Sequence, residues 1–262
     1  MNEGLYIAAS GGAKQLKKLD VLSNNIANIN TPGFKKDLLI YRESTTQNKL
    51  GNQNADQWIS PLLEKSNGLA SYVSVTHTLI DNSQGSLVKT DNSLDLALEG
   101  EGYFAIATPT GERYTRNGHF HLDDIGQLVD QTGNPVQTIN NDPIIIPLGT
   151  QTIAIDSDGT VTGGTDEDLG PIGQLKVVKF NRQEDLIKEG EGFYKSTHPE
   201  NEPVPANKVK VLQGYTETSN ASAVNEMIHM MEAVRTLEAY QKIIQSIDEA
   251  DDQSVNNLAR IA

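Results

Sequence analysis

The chain has 262 residues, a length that predicts about two domains. It carries 21 Lys and Arg against 35 Asp and Glu, and the net charge of −14 excludes a general affinity for nucleic acid or anionic lipid. The absence of cysteine excludes disulfides, thiolate zinc sites, iron–sulfur clusters and cysteine nucleophiles. No run of about 18 apolar residues occurs, so we expect no membrane span. The first four residues lack the basic flank and apolar core of a secretory signal, so we expect any export to use another route.

Residues 1–30 are predicted to form an N-terminal assembly helix. Between residues 3 and 29, apolar and small side chains recur every three or four positions, as on one face of a helix. Thr31-Pro32-Gly33 should end it, because proline disfavours a helical residue before it and Gly33 tolerates a positive φ. Residues 31–80 are predicted to be an extended arm or linker, because the stretch 43–68 is polar and poorly patterned.

Residues 81–218 are predicted to form a central β domain. Apolar and polar residues alternate at 71–75, just before this domain, and again at 102–107, while 174–180 is a third clear strand. The pairs Thr110-Gly111, Asn117-Gly118, Thr132-Gly133 and Asp158-Gly159 indicate turns between short strands. Strands and turns at this spacing are typical of an all-β domain.

Residues 219–262 are predicted to form a C-terminal assembly helix, with Ser219 or Asn220 as its N-cap. No Gly or Pro follows Ala221. One apolar stripe keeps heptad spacing and is widened by Met231 and Ile247: Met227, Met230, Val234, Leu237, Ile244, Val255 and Leu258. The predicted fold class is therefore α+β, in which the N- and C-terminal helices pair as a coiled-coil-like domain with the central all-β domain inserted between them.

The sequence offers few candidates for a chemical site. His119 and His121 have acceptable spacing for a metal, but two surface histidines on a hairpin are the better interpretation. Asp156-Ser157-Asp158-Gly159 departs from a calcium loop and favours a β-turn, and Gly100-Glu101-Gly102 favours a turn over a dinucleotide fingerprint. We therefore expect no catalytic residue, metal or cofactor. The sequence leaves three functions to compare: a self-assembling structural subunit, a β-domain binding module, and a hydrolase using carboxylates.

Several motifs resemble one family. Ser23–Lys35, which reads SNNIANINTPGFK, is similar to the N-terminal signature of bacterial flagellar rod and hook proteins. Further similar stretches follow in family order: Asp81–Leu87, Leu94–Phe104, Tyr114–Gly118, Gly126–Val129, Glu217–Ala221 and Glu226–Ile228. Thr216 departs from the leucine that often precedes Glu217 in the family. Residues 4–11 and the length most resemble the proximal rod branch, with the distal rod branch as the close alternative.

The resemblance implies a structural subunit of the flagellar basal-body rod, exported through the flagellar export apparatus without a cleaved signal peptide into the periplasmic rod. Its partners would be copies of itself and neighbouring rod and hook proteins, with no nucleic acid and no small-molecule substrate. The residues expected at subunit contacts are Leu5, Leu16, Leu19, Asn24, Asn25, Ile26, Asn28, Thr31, Gly33, Phe34, Ser219, Asn220, Met227, Met231, Val234, Leu237 and Ile244.

Overall fold

A computed structural model describes residues 2–45, 71–147, 149–165 and 168–259. The chain divides into two compact units. A helical unit comprises Met1–Asn24, Asp37–Leu79 and Val224–Ala262, and a β unit comprises Asn25–Lys36 and Ile80–Ala223. With long helices near both ends and strands between them, the predicted α+β class is confirmed.

Two long helices dominate the helical unit. Helix α1 spans Asn2–Ala27 and helix α2 spans Ala223–Ala259, close to the predicted 3–29 and 222–260. A β-carbon placed on Gly4 would lie 3.7 Å from Ile247 Cδ1, and one placed on Gly12 would lie 3.7 Å from Leu237 Cδ1. Contacts therefore run in opposite directions along the two helices, which pack antiparallel.

One face of each helix is covered, at alternating steps of three and four residues. On α1 the buried and half-buried residues of this inner face are Leu5, Ala8, Gly12, Gln15, Leu19 and Leu22. On α2 they are Met230, Ala233, Leu237, Tyr240, Ile244 and Ile247. Of the single heptad stripe predicted for α2, Met230, Leu237 and Ile244 lie on this inner face, whereas Met227, Met231 and Val234 are exposed in the monomer. Met231 and Val234 lie about 100° around the helix from Met230 and Ala233, since each residue advances a helix by that angle.

A two-stranded sheet completes the described part of the helical unit. Its strands are β1 (Asp37–Thr45) and β2 (Ser71–Ile80), which pair with each other. The Lys14 Nζ lies 4.0 Å from the centre of the Tyr41 ring, so a cation–π contact joins β1 to α1. The strand predicted at 71–75 is confirmed, whereas most of the polar stretch 43–68 lies outside the described residues.

The β unit is made of short strands and one 3₁₀ turn at Gln183–Asp185. The strands are β3 (Leu87–Lys89), β4 (Leu96–Glu99), β5 (Tyr103–Thr108), β6 (Gly111–Thr115), β7 (His121–Leu122), β8 (Leu128–Val129), β9 (Thr152–Ile155), β10 (Thr160–Thr165), β11 (Asp168–Gln174), β12 (Val177–Lys179), β13 (Leu186–Lys188), β14 (Phe193–Ser196), β15 (Val204–Pro205), β16 (Lys210–Gln213) and β17 (Tyr215–Glu217). The largest sheet has the order β13-β14-β6-β5-β12-β15, and β11-β10-β9 form a second sheet. The pairs β16-β4, β17-β3 and β7-β8 complete the described sheets.

Strand β5 separates two apolar clusters because successive strand residues face opposite sides. Phe104 and Ile106 belong to the larger cluster, whose aromatic contact is the edge-to-face pair of Phe104 and Phe120. Tyr103 and Ala105 belong to the second cluster, which is rich in aromatic rings. The core of the β unit thus extends on both faces of its central strand.

The local predictions for the β unit hold at Asp156–Gly159 and Gly100 and fail at Asn117-Gly118, which is not a turn, and at one strand. Asp156–Gly159 is a turn, with the Gly159 amide donating to the Asp156 carbonyl at 2.9 Å, and Gly100 takes a positive φ between β4 and β5. The single strand predicted at 174–180 is instead divided between β11 and β12. The Leu175 amide bonds to the Gly159 carbonyl and the Lys176 amide to the Gln137 carbonyl, so the chain changes sheets there.

Candidate assembly surfaces and a buried junction

The family signature after α1 lies in the β unit, and it contains a glycine, Gly33, that other residues could not replace without strain. Gly33 has φ +69, in the left-handed region that glycine favours. A β-carbon there would lie 2.5 Å from the Asn117 backbone nitrogen and 2.6 Å from the Arg116 carbonyl oxygen. The Gly33 amide donates to the Glu217 carbonyl at 2.7 Å. The positive φ predicted for Gly33 is confirmed, but α1 ends earlier, at Ala27.

Two residues later, a lysine enters the interior of the β unit. Lys35 Nζ lies 2.5 Å from Glu217 Oε1 and donates to the Ser83 carbonyl at 2.8 Å. Glu217 Oε1 also accepts from the Gly85 amide at 2.8 Å, and Oε2 accepts from Arg116 Nε at 2.8 Å. The side chains of Lys35, Glu217 and Arg116 are each at most 4% exposed. We call these three residues the Glu217 junction.

Further hydrogen bonds tie Arg116 to the backbone around the junction. Arg116 Nη1 donates to the Gly102 carbonyl at 2.5 Å and Nη2 donates to the Leu98 carbonyl at 3.3 Å. Burial lowers the pKa of Lys35 below its ordinary value, and the hydrogen bond and charge of Glu217 oppose that shift. Breaking a buried ion pair by removing one partner typically costs about 3–5 kcal/mol, because the other charge is left uncompensated. The junction therefore depends on all three side chains.

Asn220 lies beside this junction and bonds the chain on both sides of it. Its Oδ1 accepts from the Lys36 amide at 2.7 Å, and its Nδ2 donates to the Asp81 carbonyl at 2.8 Å. Its own amide donates to the Phe34 carbonyl at 3.3 Å. The prediction that Ser219 or Asn220 caps α2 is wrong, because the helix begins at Ala223. Ser219 Oγ instead accepts from the Ala221 amide at 3.1 Å, within the segment before the helix.

The other signature residues of the β unit pack around the same segment. Phe34 is buried, and Lys188 Nζ lies 4.1 Å from the centre of its ring while donating to the Lys35 carbonyl at 2.6 Å. Thr31 Oγ1 donates to Asn28 Oδ1 at 3.2 Å. Asn25 is buried and Ile26 is half-buried. These residues are buried or half-buried in the monomer, and their role at subunit contacts stays a prediction.

The predicted contact residues of the helices fall into two groups. Leu5, Leu19, Leu237 and Ile244 are half-buried on the inner faces. Leu16, Met227, Met231 and Val234 are 54%, 52%, 55% and 38% exposed, and Asn24 is also exposed. A shallow groove on α2 is lined by Met227, Met231 and Val234 together with Met230, Arg235 and Glu238. We call Met227, Met231 and Val234 the outer face of α2, since these side chains are exposed in the described part of the chain.

The histidines of the β unit do not assemble a metal centre in the described residues. No group of three or more His, Cys, Asp or Glu side chains there is placed to hold an ion. His119 Nδ1 instead lies 2.7 Å from Asp95 Oδ1, whose carboxylate is 4% exposed. Sequence reasoning missed this pair and the Glu217 junction, because partners far apart in sequence leave no local periodic signal.

Comparison with known proteins extends these observations. Residues 5–35 match the family model for flagella basal body rod proteins, and residues 97–163 match the D1 domain of the flagellar hook proteins FlgE/F/G. Residues 212–258 match the C-terminal region of the flagellar basal body rod proteins FlgEFG. The Glu217 junction thus joins one residue from each of the three matched segments.

A flagellar basal-body rod protein FlgG of Bacillus subtilis is 35% identical over 98% of this chain and 99% of its own. The chain belongs to the flagellar basal-body rod protein family. It is a structural subunit of the rod. Within the family, FlgF of Caulobacter vibrioides is 30% identical over both full chains, and FlgG of the same organism is 34% identical over 94% of this chain and 96% of its own. These identities do not separate the two branches. No helix among the described residues has the length and hydropathy needed to cross a membrane.

Proposed function

We propose that this rod-family chain self-assembles through its two terminal helices, and that these helices pair as a coiled-coil-like domain. Buried residues at alternating steps of three and four on both helices favour this pairing, because knobs-into-holes packing requires such spacing. Small residues at Ala8, Gly11 and Gly12 allow the helices to approach closely. The proposed domains are an assembly helix at 1–30, an arm at 31–80, a β domain at 81–218 and a second assembly helix at 219–262.

The observation that carries the proposal is the outer apolar face. Met227, Met231 and Val234 stay exposed after the inner faces of α1 and α2 have packed together. Apolar residues at this spacing form a stripe that needs its own partner, and neighbouring copies or other rod and hook proteins would supply it. The inner face therefore holds one monomer together, while the outer face contacts the next subunit.

The two faces give separable variants. Met227→Asp with Met231→Asp should leave monomer stability near wild type and abolish incorporation into the rod, because the added charges lie in the contact between subunits. Leu237→Asp with Ile244→Asp should also lower the protection of α1 and α2 in the monomer. Incorporation is measured by purifying basal bodies from a strain that lacks the native subunit and by immunoblotting them.

The matched control is Asn225→Asp with Thr236→Asp, which adds the same charge at exposed polar positions on the side of α2 opposite Met227. It should assemble normally. Normal assembly of the Met227/Met231 variant would contradict an outer contact face. Loss of assembly in the control would show that added charge, and not position, is responsible.

The same proposal covers the route and place of the protein. We propose export by the flagellar apparatus without a cleaved signal, assembly in the periplasmic rod, and no catalytic role, cofactor or small-molecule substrate. Between the branches, residues 4–11 favour a proximal rod position, with a distal rod or hook-type position as the alternative. Mass spectrometry of the N-terminus from purified rods tests the first point, and cross-linking to rod neighbours of known position tests the branch.

A further inference from the structure

One glutamate of the β unit binds three separate parts of the chain. The side chain of Glu217 accepts from Lys35, Gly85 and Arg116, while its backbone carbonyl accepts from Gly33. Lys35 and Glu217 are 182 positions apart in sequence. A single buried group therefore holds segments that only the folded β unit brings together.

These contacts lie where the chain enters and leaves the β unit. Gly33 and Lys35 follow α1 in sequence, and Glu217 ends β17, the last strand before α2. The bonds continue past Glu217, because the Thr218 amide donates to the Ser86 carbonyl at 2.9 Å and Asn220 bonds the Phe34 and Lys36 backbone. The two terminal segments of the β unit are thus bonded directly to each other.

We infer that Glu217 is a positioning residue for assembly, which makes the placement of the segment after α1 and the placement of the segment before α2 depend on each other. The inference rests on the proposed function, since it concerns how the assembly helices are attached. Removing the carboxylate charge leaves Lys35 and Arg116 as two buried cations without an anion between them. The segment after α1 and the segment before α2 then lose the carboxylate that links them, so both segments loosen together.

The first test measures hydrogen exchange in the purified full-length chain. In Glu217→Gln, exchange should rise at least tenfold for the amides of Gly33, Gly85 and Asn220 together, while β5 and β6 keep wild-type protection. The control is Glu189→Gln, which removes an ion pair with Arg113 elsewhere in the same unit. It should leave those three amides unchanged. A rise confined to one of the two terminal segments would overturn the coupling.

The second test separates positioning from stability. Val211→Ala, a buried substitution in the larger apolar cluster, serves as a variant with a reduced free energy of unfolding. Incorporation into rods should fall at least tenfold further in Glu217→Gln than in Val211→Ala, after both are compared at temperatures where equal fractions are folded. Equal incorporation would reduce Glu217 to an ordinary stabilising residue and overturn the inference.

A third variant covers the case in which Glu217→Gln does not fold. Glu217→Asp keeps the charge on a shorter side chain, and should give smaller but still parallel increases in exchange at both segments. Unequal increases would count against the coupling. The exchange measurements need no assembly, so they remain decisive even if wild-type protein is never found in rods, a result that would refute the proposed function instead.

Discussion

Neighbouring glycines on α1 provide a direct test of how closely the helices pack. A β-carbon on Gly11 would lie 2.5 Å from Tyr240 Cε1 and 2.8 Å from its hydroxyl oxygen, whereas one on Gly12 has nothing closer than 3.7 Å. Alanine stabilises a helix interior by about 1 kcal/mol relative to glycine. We expect Gly12→Ala to gain most of that amount, because an ordinary van der Waals contact adds no strain.

Gly11→Ala gains the same helix propensity but must displace the Tyr240 ring. Overpacking of this kind costs about 1–3 kcal/mol, so the net change should lie between about 0 and 2 kcal/mol of destabilisation. The two variants should therefore differ by at least about 1 kcal/mol, which corresponds to about fivefold in an opening equilibrium. Hydrogen exchange of α2 amides between residues 237 and 247 measures this difference in the purified chain.

Tyr240→Ala identifies the cause of any difference. Once the ring is removed, Gly11→Ala should become as favourable as Gly12→Ala, and a double-mutant cycle gives the coupling between positions 11 and 240. Equal protection in the two glycine variants would refute the close approach of the helices. A Gly11→Ala effect that persists without the Tyr240 ring would place the obstacle elsewhere.

Three further outcomes are expected in the β unit. His119→Ala should lower the free energy of unfolding by about 1 kcal/mol in a urea titration, because a buried carboxylate loses its partner, whereas His121→Ala should change it by less than about 0.5 kcal/mol. Burial raises the pKa of Tyr103 to about 12. Between pH 10 and pH 12 this tyrosine is ionised in the unfolded chain and neutral in the folded chain. Its ionisation should therefore lower the free energy of unfolding by about 1.4 kcal/mol per pH unit in that range. Tyr103→Phe should remove that part of the slope, and an unchanged slope would exclude the assignment. Gly33→Ala should lower the free energy of unfolding by several kcal/mol more than Gly133→Ala, as measured by thermal unfolding. Both glycines have a positive φ, but only at Gly33 would a β-carbon collide with neighbouring backbone atoms. Equal losses would show that backbone strain, and not the collision, causes the destabilisation.

Sequence reasoning succeeded where the signal is local. Periodic apolar residues predicted both long helices, and the pair Asp158-Gly159 predicted a turn that the structure contains. Alternation likewise predicted β5. These features depend on residues only a few positions apart, and hydrophobic period and turn chemistry describe such neighbours well.

The same reasoning failed where one position or a distant partner decides. The predicted stripe on α2 did not separate the inner face from the exposed Met227, Met231 and Val234, and the N-cap was assigned three or four residues before the helix begins. Lys35 and Glu217 stood in motifs that resembled the family, but nothing in either motif showed that the two side chains meet. Charge pairs between distant segments follow from tertiary structure, which sequence period does not describe.

The bond between Lys35 and Glu217 also has a consequence for the order of folding. It closes a loop of 182 positions, and the entropy of closing so long a loop must be offset before the contact forms. Contacts of such high sequence separation slow folding, so the hairpins of the β unit should form before this bond does. A chain that stops short of residue 217 retains Lys35 and Arg116 without their shared anion. Only a chain synthesised through its last strand can therefore complete the fold.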